Sequence, residues 1–317
     1  MAQTYAAIGT GNSNVTTGAT FIPEMWSNEV VASYKSNLVM ANLVRKMNFV
    51  GKKGDTIRIP SPVRGAAAAK VANTVIQIMS DTENEVVVSI DKHYHYSKLL
   101  EDIASVQMLP SWRKFYTDDG GYALGVQVDS DLIALGAQLN AGSGTAAYNT
   151  AYSGADGSTA FVDATGAGSG ALTDAGIRRL IQRLDDNNVP GSKRFLVIPP
   201  VAKSTLLGLA RFTEQAFVGE VGSANAIRTG RVGNIYGVEV FVTPQAATTT
   251  TTGARIGLLF HQDAFVLVEQ QKVRAQTQYK QEYLGDLLTF DTIYGVECLR
   301  PGNADVPTAG YAIAMPA

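Results

Sequence analysis

The chain has 317 residues, and 26 Lys and Arg against 28 Asp and Glu leave a formal net charge of −2. A fold of this size buries roughly three quarters of the surface its unfolded chain exposes, enough for two ordinary domains. The near-neutral balance excludes a nucleic-acid coating role driven by counterion release, and the single cysteine, Cys298, excludes an intrachain disulfide framework or a cysteine-only zinc site. The opening Met-Ala-Gln-Thr-Tyr lacks a basic n-region and an apolar h-region, so no signal peptide is expected. No apolar run approaches the ~20 residues of a membrane helix, and a soluble protein made inside the cell is expected. Only 17% of residues are charged and 31 are glycine, against typical values of ~25% and ~7%. Such a surface suits a chain largely covered by other subunits.

The polar stretch Gly9 to Thr20 reads as an arm. Pro23 to Tyr34 is amphipathic, with Trp26, Val30, Val31 and Tyr34 at helical spacing. Gly54-Asp55 opens a strand, Thr56 to Pro60, with Ile57 and Ile59 on one face. The pattern is lost through Ser61 to Ala72, which includes the run Ala66 to Ala69, and returns as one long strand, Glu85 to Ser97. There Val86, Val88, Ile90, Tyr94 and Tyr96 alternate with Glu85, Ser89, Asp91, His93 and His95. At ~3.3 Å per residue this strand spans roughly 40 Å. A two-stranded excursion of that kind is not stable alone and needs a partner surface.

Charge is segregated along the excursion. Lys52, Lys53, Arg58, Arg64 and Lys70 face only Asp55 on the way out, whereas Asp81, Glu83, Glu85 and Asp91 precede any base on the way back. Either the two halves neutralise each other, or the arm meets complementary charge on a neighbour, where such patterning sets register more than affinity. His93, His95 and Asp91 share a face and could hold a metal. The polar face of an arm accounts for them better, since the chain has only one other histidine, His261.

Pro110 to Leu139 is predicted helical, with Leu124, Val128, Leu132, Leu135 and Leu139 as one apolar stripe along ~45 Å and a kink or break at Gly120-Gly121. Gly142 to Gly170 reads as a long loop. Thr173 caps a helix that packs Ile177, Leu180, Ile181 and Leu184 and stops at Asn187 to Gly191. A strand at Arg194 to Ile198 and a helix at Val201 to Leu209 follow. The remainder reads as strands: Val238 to Val242, Ile256 to Phe260, Ala264 to Glu269, Val273 to Tyr279 and Leu287 to Leu299. In Gln270 to Lys280, Val273, Ala275 and Tyr279 face one way and Lys272, Arg274, Gln276 and Gln278 the other. Thr248 to Thr252 reads as an exposed loop.

No catalytic constellation stands out. Gly166-Ala-Gly-Ser-Gly-Ala171 has the loose form of a dinucleotide fingerprint but lacks a buried strand before it and an acid at a strand end after it, so loop glycine is the better reading. The carboxylate clusters Asp129 with Asp131, Asp118-Asp119 and Glu101-Asp102 read as solvated surface, because neighbours at these helical spacings do not face each other. Cys298 reads as a small buried hydrophobe.

Three segments carry a family resemblance. Gly230-Arg-Val-Gly-Asn-Ile-Tyr-Gly-Val-Glu-Val-Phe-Val-Thr243 looks like the Gly-x-(Ile/Val)-x-Gly-x-x-(Ile/Leu/Tyr)-Gly-x-x-Val segment of the Hong Kong 97-type major capsid proteins of tailed bacteriophages, with tight turns at Gly233 and Gly237 between two strands. Phe195-Leu-Val-Ile-Pro-Pro-Val-Ala-Lys-Ser-Thr-Leu-Leu207 is similar to the strand, proline, helix step of that family's axial domain. Tyr294-Gly-Val-Glu-Cys-Leu-Arg-Pro301 resembles the closing strand of its peripheral domain. The order of these segments covers nearly the whole chain.

The resemblance implies an α+β fold with an N-arm at 1–50, an extended β-hairpin loop at 51–97 and a peripheral domain with a long spine helix at 98–172. An axial domain at 173–269 and peripheral strands with a C-terminal tail at 270–317 would complete it. It implies a structural, non-enzymatic protein without cofactor or metal, assembling with itself as hexamers and pentamers into an icosahedral phage head. That head would enclose double-stranded DNA without sequence-specific binding. A separate scaffolding protein is expected, since ~50 residues leave no room for a built-in scaffold, together with a portal protein, room for a cement protein, and no membrane. The chain would be made in the bacterial host cytoplasm and end in the virion. Lys70, beside the alanine run, is the only lysine near the loop tip that could cross-link a neighbour, and no asparagine can be matched to it. Two other readings are weighed: an encapsulin-like nanocompartment, disfavoured by the arm-like Gly9 to Thr20, and an α+β enzyme with an unrecognised site.

Overall fold

Period-two patterning over the 80s, 90s and 265–298, and period-3.6 patterning over 112–139 and 174–186, shape the elements of the computed structural model. It describes residues 38–62, 65, 67–76, 78, 83–107, 112–139, 153–157, 159, 161–209, 233–301 and 308–316. The helices are α1 (Met40–Leu43), α2 (Asp102–Gln107), α3 (Trp112–Ala134, continued by a 3-10 turn at Leu135–Gln138), α4 (Asp174–Asp186) and α5 (Pro200–Leu207). The strands begin with β1 (Arg45–Asn48), β2 (Thr56–Pro62), β3 (Glu83–Ser89), β4 (Lys92–Glu101) and β5 (Ser153–Gly154). They continue with β6 (Arg194–Ile198), β7 (Asn234–Ile235), β8 (Val238–Val242), β9 (Arg255–His261), β10 (Phe265–Lys280), β11 (Gly285–Cys298) and β12 (Gly310–Met315). Residues 1–37 of the expected arm at 1–50, residues Arg64, Ala66 and Asp81 of the expected loop, residues 142–152 of the expected 142–170 loop and Gly230 to Val232 lie outside the described residues.

A four-stranded sheet runs β1-β10-β11-β4, a six-stranded sheet β5-β12-β9-β6-β8-β7, and β2-β3 form a two-stranded sheet of their own. The long hairpin β10–β11 pairs Phe265 with Cys298 at one end and Lys280 with Gly285 at the other, with irregular register between Glu269 and Arg274. That irregularity is where the sequence reading split one strand into two.

The single strand expected from Glu85 to Ser97 is two strands. β3 pairs with β2, Ile57 opposite Val88 and Ile59 opposite Val86, while β4 pairs with β11, His95 opposite Asp291. The inward positions keep their alternation across the break. Val88 and Ile90 are buried against Val266, Val268 and Leu299, and Tyr94 and Tyr96 pack on Leu124, Leu288 and Phe290. The chain changes partner at Ile90-Asp91 without changing face.

Helix α3 lies across the four-stranded sheet. It is unbroken through Gly120-Gly121, so the break expected there does not occur. The reason is packing: a Cβ on Gly120 would sit 2.8 Å from Phe290 Cδ2 and 3.0 Å from Tyr96 Cδ1, so the glycine lets helix and sheet close up. The predicted stripe is real, with Leu124, Leu132 and Leu139 buried. Leu132, Ile133 and Leu139 join Met40, Leu43, Phe260, Phe265, Leu267 and Tyr294 in a core shared by both large sheets.

Helices α4 and α5 cover the six-stranded sheet through Ile177, Leu180, Leu184, Ala202 and Leu206. Thr173 caps α4 as expected, its Oγ1 accepting the Gly176 N–H at 3.1 Å. The buried Arg194 closes the other end, donating to the Pro190 carbonyl at 2.8 Å and to Asp185 at 2.6 Å. Between β7 and β8, Tyr236 and Gly237 both take positive φ, 51° and 81°, the two-residue turn whose twist suits a hairpin. Gly237 thus serves as read, but Gly233 is no turn residue: it precedes β7, and its carbonyl accepts the Val240 N–H at 3.0 Å. The last strand, β12, was read as tail beyond the peripheral strands. It instead lies between β5 and β9 in the six-stranded sheet, with Ala312, Ile313, Ala314 and Met315 buried.

Candidate assembly surface

The residues singled out by charge gather on the β2–β3 hairpin and its root. Lys52 and Lys53 are exposed in the loop before β2, Lys52 Nζ standing 5.5 Å over the Phe49 ring. Arg58 on β2 pairs with Glu85 on β3, so this part of the pattern is neutralised within the hairpin. Lys70 is exposed at the tip. Arg64 and the Glu83 side chain lie outside the described residues. Asp91 is exposed at the root; burial first, and then the Asp91 charge, push the Glu297 carboxyl above its usual range.

His93 and His95 do not form a cation site with Asp91. His93 Nε2 lies 3.4 Å from the buried Asp291 on β11, and His95 is exposed. Asp291 also accepts from Arg274 Nε at 3.0 Å and Nη2 at 2.8 Å, and from Gln271 Nε2 at 2.8 Å. The Arg274 guanidinium, helped by Gln271 and His93, holds this carboxyl below the usual range. Among the described residues, no three His, Cys, Asp or Glu side chains stand together as a cation site.

Four acids expected as solvated surface have partners on other elements. Asp129 is wholly buried and accepts the backbone N–H groups of Val39 at 3.0 Å and Ala41 at 3.2 Å. Burial raises its pKa, with those hydrogen bonds opposing. Asp131 accepts the Tyr294 hydroxyl at 2.7 Å and stands 3.4 Å from Lys92 Nζ. Asp119 accepts from the Tyr96 hydroxyl at 3.2 Å, and Asp102, opening α2, from the Tyr279 hydroxyl at 2.7 Å.

The threonine run is the expected exposed loop at Thr248 and Thr250 to Thr252, but it is anchored. Thr249 is buried, and the buried Asp163 accepts the Thr251 and Thr252 N–H groups at 3.1 Å and 3.0 Å and the Thr252 hydroxyl at 2.7 Å. Sequence reasoning missed Asp163, whose only signal is an acid facing a distant polar run. Gly166 and Gly168 take positive φ in turns on either side of Ala167, which makes a single bridge to Val162. No strand leads a helix N-terminus to a phosphate there. Cys298 is buried, which pushes its thiol up to about 12. His261, also buried, accepts the Asp263 N–H at 3.2 Å.

The described residues thus place their buried polar groups in joints between elements. The β2–β3 hairpin stands as a sheet of its own among the described residues. The sequence model described as phage capsid protein matches residues 116–291, more than half of the chain, and the chain belongs to that family. Its fold is shared by a solved Mycobacterium phage Che8 structure, at 22% identity over 93% of this chain and 97% of that one, with a TM-score of 0.68. The capsid of cyanophage P-SCSP1u matches at 17% identity over 96% of each chain, with a TM-score of 0.73. The cyanophage Pam1 capsid matches at 14% identity over 98% of each chain, with a TM-score of 0.68. No curated protein matches. The resemblance drawn from the sequence therefore holds for family and fold class, and the chain is a structural capsid protein of the phage head.

Proposed function

We propose that this chain assembles with itself as hexamers and pentamers into an icosahedral head that encloses double-stranded DNA without reading its sequence. The observation that carries this is the β2–β3 hairpin, which among the described residues is a two-stranded sheet with no third strand, in a chain of the phage capsid family. Among its described residues burial is confined to the root, and such a hairpin gains stability from a further surface.

In this reading residues 1–50 form the N-arm, 51–97 the extended loop, 98–172 with 270–317 the peripheral domain and 173–269 the axial domain, with β12 returning to the axial sheet. Lys52, Lys53, Arg64, Lys70, Glu83 and Asp91, with His93 and His95, set register against a neighbour, while Arg58 and Glu85 hold the hairpin together. A separate scaffolding protein, a portal protein and optionally a cement protein complete the particle.

Size-exclusion chromatography with X-ray scattering and negative-stain imaging tests it. A compact monomer of this length has a radius of gyration of ~20 Å. Rings, shells or a clearly larger monomer are expected; a stable particle at the compact value, with no assembly beside a scaffold, overturns the reading.

A further inference from the structure

The β2–β3 hairpin leaves the body through a joint that one side chain ties together. On β10, Glu269 pairs with Tyr294 and Gln271 with Ile293 of β11, so Gln270 is the extra residue of a β-bulge, a device that re-aims a side chain. The bulge falls where β1 ends, its last residue Asn48 lying opposite Glu269. Released from the alternation of the strand, Gln270 sends Nε2 to the Lys52 carbonyl at 3.1 Å and to the Gly54 carbonyl at 2.9 Å. Both partners only accept, so the amide nitrogen faces them with one hydrogen for each.

Those two carbonyls belong to the turn that aims the hairpin. The backbone reverses at Gly51 and Gly54, with φ 78° and 136°, and the Lys52 N–H donates to the Phe49 carbonyl at 3.1 Å. The Asp55 carbonyl then accepts the Ile90 N–H at 2.7 Å, so the outgoing and returning strands share one joint. The returning strand crosses β11 at Gly295, where an added Cβ would stand 2.3 Å from the Ser89 carbonyl oxygen. Beyond the joint, Ile57, Ile59, Val86 and Val88 rest on Val266, Val268 and Leu299. That apolar contact keeps the hairpin down on the sheet but is non-directional; the hydrogen bonds at the joint carry the direction.

We propose that Gln270 is a positioning residue, a latch that sets the angle at which β2–β3 leaves the sheet before any neighbour is met. The seven residues of β2 span about 23 Å, so a swing of about 10° at the joint carries the far end by about 4 Å. Fixing the angle in the free subunit lowers the ordering cost of a later contact. The latch belongs to the single chain, and its effect on assembly rests on the shell-building reading.

Hydrogen exchange on the free full-length subunit tests the latch. Gln270→Ala removes both donors, whereas Gln270→Glu keeps the shape and sets an acceptor against two carbonyls. Both variants are expected to speed exchange at Lys52 and Ile90 by about tenfold at neutral pH, with the α4 amides and the melting temperature unchanged. Below about pH 4 the new carboxyl is protonated and regains one donor. The Gln270→Glu difference from the parent chain then shrinks, while the Gln270→Ala difference persists. Assembly of Gln270→Ala is expected to slow by about tenfold.

Parent-like exchange at Lys52 and Ile90 in both variants overturns the latch and leaves the shell reading standing. A Gln270→Glu difference that persists in acid assigns the effect to lost packing and overturns it as well. Faster exchange with parent-like assembly overturns the positioning role. If the parent chain builds no shell and the exchange response is intact, the shell reading falls and the latch stands.

Discussion

The carboxylate of Asp129, wholly buried on the long helix, accepts the backbone N–H of Val39 at 3.0 Å. This bond, with that to Ala41, ties the start of α1 to the helix and fixes where the chain enters the core. Asp129→Ala leaves two backbone donors without their acceptor and is expected to cost about 1–3 kcal/mol in urea unfolding. The pH dependence has a definite sign. Burial raises the folded pKa of Asp129 above its unfolded value, so the native state binds the extra proton between those values and stability falls as pH rises through that window. Asp129→Asn, neutral throughout, removes this slope; an unchanged slope would contradict the assignment.

Asp291 behaves in the opposite way. Its folded pKa is depressed, first by Arg274, so its contribution is present above the unfolded value of ~3.9 and is lost as pH falls through the folded one. Arg274→Ala therefore lowers the urea midpoint at neutral pH, and the difference from the parent chain shrinks to nothing in strong acid. A midpoint difference independent of pH would assign the effect to lost packing.

Adjacent glycines on α3 are expected to respond with opposite signs. Gly120→Ala drives a methyl into Phe290 and Tyr96 and should cost about 1–3 kcal/mol by overpacking. Gly121→Ala meets open space and should gain about 0.5–1 kcal/mol from helix propensity. Thermal melts of the two variants suffice, and equal shifts would refute the close approach at Gly120.

Reversing Lys52, Lys53 and Arg64 to Glu is expected to impair assembly while leaving circular dichroism and melting unchanged, with added salt weakening the parent contact. The Arg58 and Glu85 swap, Arg58→Glu with Glu85→Arg, keeps its pair within the hairpin and should assemble normally. If the triple reversal assembles normally too, the segregated charge is incidental.

Much of this architecture was legible because period and burial are local. The stripe from Leu124 to Leu139, the Thr173 cap and the inward set from Val86 to Tyr96 all follow from which residues share a face. Partnership is not local. Nothing in Glu85 to Ser97 distinguishes a strand that stays with β2 from one that crosses to β11, since alternation is identical in both sheets. The same limit hid the acids: Asp129 and Asp131 sit at i, i+2 on a helix, and their partners Val39 and Tyr294 are 90 and 163 residues away. Asp163 was invisible for that reason as well, its partners lying 87 to 89 residues on. The glycine pair was misread because composition signals a weak helix but not the aromatic rings pressed against it.

β12 lies between β5 and β9, and among the described residues β5 meets the rest of its sheet only through it. While the polypeptide is being synthesised, everything through β11 is made before the slot is filled, and Leu180 and Leu184 of α4 wait for Ile313 and Met315 to complete their side of the core. A ribosome that stops after β11 therefore releases a subunit with a gap in its sheet and an open apolar floor. Completion of the six-stranded sheet therefore waits on the strand made after β11.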